Sequence, residues 1–259
     1  MSDTAEVTLY YAPGTVAALS LMILLEEKGI QYTAKAEMDE DNPSDEVKKL
    51  DPRQEVPILQ HGEVVLTEYL AALIYLEETF GGTKLIPDDD LTKEALVLQR
   101  MFSAEHVGLD DTTICSYWED WEEYEEEEDE EFNEEEFEND EELEAAYEEA
   151  DEEDAMEDLA EELMVWEEYL KEEGGPYIAG TEFTMADVAF FPVLSFVMWM
   201  GFKPEATYPE LHKYYEALRE RPTIQTAWPE DWNTPAPGKP FQYLDEHLED
   251  EEGEGKEGE

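Results

Sequence analysis

Bases are scarce in this chain. Its 259 residues hold 15 Lys and Arg against 73 Asp and Glu, a formal net charge of −58. No Lys or Arg lies between Arg100 and Lys171. A surface so short of cations repels nucleic acid and anionic membrane, and it favours cations and basic partners. Cysteine is nearly absent. Cys115 stands alone, which excludes an intrachain disulfide and suggests a reducing compartment. His61, His106, His212 and His247 are scattered, without the spacing of a metal motif, so no metal site is expected. No segment matches a phosphate-binding glycine loop, a nucleophile elbow or an EF-hand loop. Long apolar runs are missing too. The longest, residues 185–202, carries Asp187 and Pro192 and is barely long enough to span a bilayer. It reads as a buried helix. The first six residues are polar, with no signal or transit pattern. These features predict a soluble, cytoplasmic protein without a membrane span.

Carboxylates are what the chain has in excess, and they are concentrated. Residues 119–162 contain 29 Asp or Glu in 44 positions, and residues 245–259 contain 9 more. Like charges at i,i+4 disfavour helix by roughly 0.2–0.5 kcal/mol per pair. Residues 119–154 therefore read as a solvated loop with frayed helix at its edges, and the segment from Asp245 as a disordered tail. Trp121, Tyr124, Phe132, Phe137, Leu143 and Tyr147 leave open an interaction segment anchored by aromatics. Such a run suits diffuse binding of Ca²⁺ or basic proteins. A halophilic surface is the other reading, although halophiles spread their acids more evenly.

The remaining sequence alternates in period. Residues 7–11 are a short β-rich run ended by Pro13 and Gly14, and 16–28 are apolar at helical spacing, closed by Gly29. Residues 31–35 read as a second strand and 39–50 hold a short irregular helix. Residues 56–59 form a strand entered through Pro57, and Gly62 turns the chain into 64–66. A helix over 68–80 follows. The order βαβαββα within the first 86 residues is that of a thioredoxin-like domain. Residues 87–93 are a linker, and everything after it reads helical. One long helix is predicted over 91–118, with others over 156–173, 184–200, 210–219 and 223–228, then a proline-rich surface run over 229–240. The domain plan is therefore 1–86, a helical domain over 94–236 interrupted by the insert at 119–154, and a tail over 237–259.

Several motifs carry a resemblance. They are Leu9-Tyr10-Tyr11-Ala12-Pro13-Gly14-Thr15, Asp51-Pro52-Arg53-Gln54-Glu55-Val56-Pro57-Ile58-Leu59, Leu66-Thr67-Glu68-Tyr69-Leu70-Ala71-Ala72-Leu73, and Phe183-Thr184-Met185-Ala186-Asp187. With them the chain resembles the cytosolic glutathione S-transferases, most closely their rho and theta-like classes, over about residues 6–118 and 155–233. The resemblance implies a thioredoxin-like domain followed by an α-helical domain, a homodimer, and glutathione as co-substrate for conjugation to a hydrophobic small molecule. An alternative is a repurposed, non-enzymatic member that holds an apolar ligand or pigment, or serves as a structural, cation-associated protein.

The resemblance also assigns residues. A free thiol has a pKa near ~8.5, so a hydroxyl that hydrogen-bonds the sulfur favours the nucleophilic thiolate. That hydroxyl falls first on Thr15 and second on Tyr11. Thr15 also fits a helix cap without chemistry, and Tyr11 a strand-end core aromatic. Pro57 is expected to be cis, letting the Val56 backbone pair with the peptide of glutathione as an added strand. Glu68 would hold the γ-glutamyl ammonium. Met101, His106, Tyr117 and Trp199, with Phe102 and Phe202, are candidate walls for the apolar substrate. Three departures stand against these matches. Tyr69 occupies the place of a serine that binds the γ-glutamyl carboxylate. Glu55 occupies the place of a Lys, Gln or His facing the glycine carboxylate. Ala18, Leu19 and Ser20 lack the Cys and Arg common in the first helix.

Overall fold

The computed structural model describes residues 5–37, 43–107, 140–236 and 239–248. The N-terminal half is a four-stranded mixed sheet in the order β2-β1-β3-β4. Its strands are β1 (Val7–Tyr11), β2 (Tyr32–Ala36), β3 (Ile58–His61) and β4 (Val64–Leu66). β2 runs parallel to β1, while β3 is antiparallel to both β1 and β4. Alternation divides β1 between two layers. Val7 and Leu9 join the main core with helices α1 (Val16–Glu27) and α3 (Tyr69–Thr79), whereas Tyr10 packs with Val47 and Ile58 beside the short α2 (Val47–Leu50).

The second half is helical: α4 (Leu91–Ser103), α5 (Asp140–Glu173), α6 (Met185–Trp199), α7 (Pro209–Arg219) and α8 (Pro222–Ala227). α6 is almost wholly buried and packs against α1 and α4, so it joins the halves. Its start is fixed by Asp187, which accepts from the Thr184 N–H (2.7 Å), the Thr184 hydroxyl (3.1 Å), the Ile178 N–H (3.0 Å) and the Tyr214 hydroxyl (3.2 Å). A second buried carboxylate, Glu167 on α5, accepts from the Glu210 and Leu211 N–H groups (2.9 and 2.8 Å) at the start of α7. Acids thus serve here as acceptors for helix N-termini.

One cluster braces the end of the first half, and a second joins it to the helical half. Glu77 accepts from the N–H groups of Leu85 (2.8 Å) and Ile86 (3.2 Å), and its other oxygen meets the Lys28 ammonium at 2.8 Å, an ion pair without aligned hydrogen-bond geometry. Lys28 donates in addition to the carbonyls of Phe80 and Thr83, both at 3.3 Å. At the end of α1, Glu27 takes hydrogen bonds from Arg221 (2.8 Å) and from Thr223. Burial pushes the Glu27 carboxyl up, but the bonds from Arg221 and Thr223 and the charge of Arg221 outweigh it and hold the group below its ordinary range.

Several sequence expectations fail at the acidic segments. The helix predicted over 91–118 ends as α-helix at Ser103 and passes into a 3-10 turn, Ala104–Val107. Residues 108–139, including Tyr117 and most of the expected loop, lie outside the described residues. The helix predicted from residue 156 begins instead at Asp140, so 140–154 are helix and not loop. The reason is cooperativity. Leu159, Leu163, Trp166 and Leu170 bury one stripe of α5, and propagation from an anchored turn costs little. Glu, Ala and Leu are also strong helix formers, and the i,i+4 repulsion per pair is too small to stop them. The expected surface run 229–240 buries Trp232 and Ala236, and a 3-10 segment, Pro240–His247, covers part of the expected tail. It packs Phe241 and Leu244 on α5. Among the described residues no helix is long and apolar enough to cross a membrane.

Candidate functional site

Strand register gathers three separate motifs. Tyr10 stands opposite Ile58 across the antiparallel β1–β3 pair, so the chain leaves β1 at Tyr11 beside the point where it enters β3 at Pro57. Leu59 stands opposite Leu66, so β4 delivers Thr67 and Glu68 to the same end of the sheet. Residues 11–15, 55–57 and 67–69 therefore share one end of the sheet. α1 and α3 both begin there, and neither N-cap residue, Thr15 or Glu68, makes a side-chain capping bond. Two sets of first-turn N–H groups, each carrying about half a positive charge, are left at this end.

Thr15 is extended (φ −91°, ψ 145°) and its hydroxyl donates to the Ala12 carbonyl at 3.0 Å. It closes the loop, and as the N-cap residue of α1 it makes its capping contact through the backbone carbonyl, which accepts from Leu19 N–H at 3.1 Å, and not through its side chain. Tyr11 is half-buried and packs on the main core. Gly14 turns that loop at φ 76°, and a Cβ there would lie 3.4 Å from the Trp232 indole nitrogen. The Val56–Pro57 bond is cis, as the resemblance implied. Val56 makes no backbone hydrogen bond among the described residues.

The loop before Pro57 is a tight turn. Buried Asp51 accepts from the Glu55 N–H at 3.0 Å, and the Gln54 N–H donates to the Asp51 carbonyl at 3.2 Å. Gln54 takes the left-handed conformation, φ 67°. Glu55 is exposed. Glu68, at the head of α3, accepts from Arg53 at 2.8 Å. Tyr69 is half-buried against the core; burial, then the charge of Glu105 on the 3-10 turn after α4, push its phenol well above the ordinary value.

Among the expected substrate walls, Met101 and Phe202 are buried in the core. Phe102 is 46% exposed on α4. His106 lies in the 3-10 turn after α4. Trp199 stacks on Trp232 (centroids 5.8 Å apart) and donates to the Thr234 carbonyl at 2.6 Å. The position of Trp232 against the loop of Thr15, its buried indole N–H unmatched by an acceptor among the described residues, was missed in the sequence. The only hint was its spacing of four from Trp228, whose ring it meets edge-on at 5.6 Å. Arg53 was missed as well, because its partner is fifteen residues away. A cavity of about 590 Å³ lies at the opposite end of β1, lined by Val7, Lys28, Tyr32 and Phe80, and takes in none of these residues.

Comparison with known proteins agrees with this geometry. Residues 5–78 match the glutathione S-transferase N-terminal domain and residues 129–228 the glutathione S-transferase C-terminal domain. Glutathione S-transferase A of Pleuronectes platessa is 34% identical over 232 residues, covering 88% of this chain and 93% of that protein. A solved glutathione S-transferase from the Antarctic clam Laternula elliptica superposes with a TM-score of 0.74 at 28% identity, covering 93% of this chain and 100% of that one. A glutathione transferase homologue from Drosophila mojavensis, solved with bound glutathione, shares the fold with a TM-score of 0.70 at 20% identity, covering 92% of this chain and 99% of that one.

Proposed function

The chain belongs to the glutathione S-transferase family, and from that premise we propose that it adds the thiolate of glutathione to hydrophobic electrophiles. The observation that carries the reading is the convergence at one sheet end of a hydroxyl loop, a cis Val56–Pro57 edge and Glu68 beneath two uncapped helix starts.

Each group then has a task. The Val56 N–H and C=O pair with the cysteinyl peptide of glutathione, holding it as an added strand. Glu68 takes the γ-glutamyl ammonium, and the Tyr69 backbone N–H at the head of α3 receives its carboxylate. The sulfur comes to rest near the loop of residues 12–15. A hydroxyl has one hydrogen, so Thr15 must release the Ala12 carbonyl to donate to the thiolate. That exchange, with the α1 N-terminus behind it, lowers the thiol pKa toward neutrality. Tyr11 is the second candidate for the same donation. Trp199, backed by the buried Trp232, and the exposed Phe102 supply apolar surface for the electrophile. By family expectation the protein acts as a homodimer. Diffuse attraction of Ca²⁺ or basic proteins by the acidic run belongs to the same proposal, on charge alone.

Calorimetric titration with glutathione, alongside conjugation of a generic aryl halide, tests the reading. The wild type should bind at sub-millimolar concentration and turn over. Thr15→Ala should lower turnover far more than binding, and Tyr69→Ser and Glu55→Gln should each tighten binding. Absence of saturable binding in the wild type, restored only by the last two changes together, would mean the fold has been turned to a non-enzymatic use.

A further inference from the structure

Glu68 does not wait for its ligand as a bare carboxylate. Arg53 Nη1 donates to its Oε1 at 2.8 Å, and both side chains are about two-thirds exposed, 64% and 67%. An exposed pair of this kind contributes little to the fold, so its placement at the site calls for another account. Glu68's hydrogen bond and charge, then the charges of Glu55 and Asp51, hold the guanidinium firmly protonated. The turn that carries Arg53 is rigid, braced by buried Asp51.

We infer that Arg53 is a substrate-binding residue: with Glu68 it forms a paired charge that receives the amino-acid end of glutathione, the guanidinium taking the α-carboxylate while Glu68 takes the α-ammonium. This rests on the glutathione reading above. The chemistry is complementary. Only one of the five guanidinium N–H groups is occupied by Glu68, and the outward-facing remainder keeps the fork geometry that matches a carboxylate. Glu68 Oε2 stays open to accept from an ammonium. The α-ammonium and α-carboxylate of the ligand share one carbon, so the four groups close a ring in which each charge neighbours only opposite ones. Arg53 also makes good a loss. The serine hydroxyl that the resemblance sets against this carboxylate is replaced by the Tyr69 phenol, which is half-buried against the core.

The test titrates the wild type, Arg53→Gln and Arg53→Lys with two ligands. One is glutathione; the other is γ-aminobutyryl-cysteinyl-glycine, which keeps the ammonium but lacks the α-carboxylate. Arg53→Gln should weaken glutathione by about 10- to 100-fold, the range of a charged hydrogen bond. It should leave the decarboxylated analogue within about twofold, because the contact removed does not exist there. Arg53→Lys, a charge without the fork, should fall between. Equal losses for both ligands, or none, would overturn the inference while leaving the function standing. A wild type that binds neither ligand would overturn both. The exposed pair leaves the urea midpoint of each variant unchanged, so misfolding is separable from lost recognition.

Discussion

Removing the Glu77 carboxylate should loosen the joint between the two halves more than any other single change to a charged side chain there. Glu77 and Lys28 have side chains 0% and 1% exposed. The carboxylate satisfies the Leu85 and Ile86 N–H groups, and the Leu85 carbonyl in turn receives the Met185 N–H at 2.9 Å at the start of α6. Glu77→Ala therefore strands two amides and leaves a buried ammonium without its counter-charge. Breaking a buried pair from one side costs about 3–5 kcal/mol. With a urea m-value near ~3 kcal/mol/M, the midpoint should fall by about 1–1.7 M. Lys28→Met should cost less, because the carboxylate keeps its two amide donors. In the double variant Lys28→Met/Glu77→Gln, the glutamine oxygen still accepts from both amides and no charge is buried. It should return to within about 1–2 kcal/mol of wild type, since a buried pair can be exchanged for a neutral one at small cost. The assay is equilibrium urea denaturation followed by near-ultraviolet circular dichroism; wild type, Lys28→Met, Glu77→Gln and their combination form the double-mutant cycle, with Glu77→Ala measured alongside. A loss under about 1 kcal/mol for Glu77→Ala, or a double variant no better than the worse single one, would refute the reasoning, because water would then be reaching the pair.

Two further outcomes follow from other parts of the fold. Gln54 holds φ 67°, which costs a residue with a Cβ roughly 1–2 kcal/mol; Gln54→Gly should recover about 0.5–1 kcal/mol after the greater freedom of glycine in the unfolded chain, and a lower urea midpoint would contradict this. Burial pushes Asp187 up to about 6 from 3.8, against the hydrogen bonds from Ile178, Thr184 and Tyr214 that favour its ionised form. Its contribution is therefore fully present below pH 3.8 and lost as pH rises through 6, on the order of 3 kcal/mol over that window. The difference in stability between wild type and Asp187→Asn should shrink with rising pH, and a difference that grows would show that the hydrogen bonds outweigh burial.

Local chemistry was legible in the sequence wherever it decides local structure. Pro13-Gly14 ends β1, Gly29 closes α1, and the apolar run entered through Pro57, with Gly62 as its turn, gives the β3–β4 hairpin. Pro57 and Thr184-x-x-Asp187 stood in recognisable motifs. What stayed hidden depends on distant partners. The first turns of α5 were hidden because a local repulsion rule pointed to loop, whereas the buried stripe from Leu159 to Leu170 anchors the helix. Trp232, Phe241 and Leu244 were hidden by prolines and acids around them, which signal surface, and only packing against α5 and α6 reverses that signal. The same holds for Arg53: as a residue in a turn it is unremarkable, and its meaning appears only when β4 brings Glu68 back to it.

The stack of Trp199 on Trp232, with Trp228 edge-on to the second ring, has an optical consequence. Indoles at centroid distances of 5.8 and 5.6 Å are close enough to exchange excitation through the Trp232 ring. Trp232 of that cluster lies over Gly14, where an added Cβ would sit 3.4 Å from its indole nitrogen. If glutathione binds as proposed, its thiolate at Thr15, or a shift of Gly14, should change the polarity around the Trp232 ring. Because Trp118, Trp121 and Trp166 also emit, comparison with a Trp232→Phe variant isolates the part of the intrinsic fluorescence that reports on this loop.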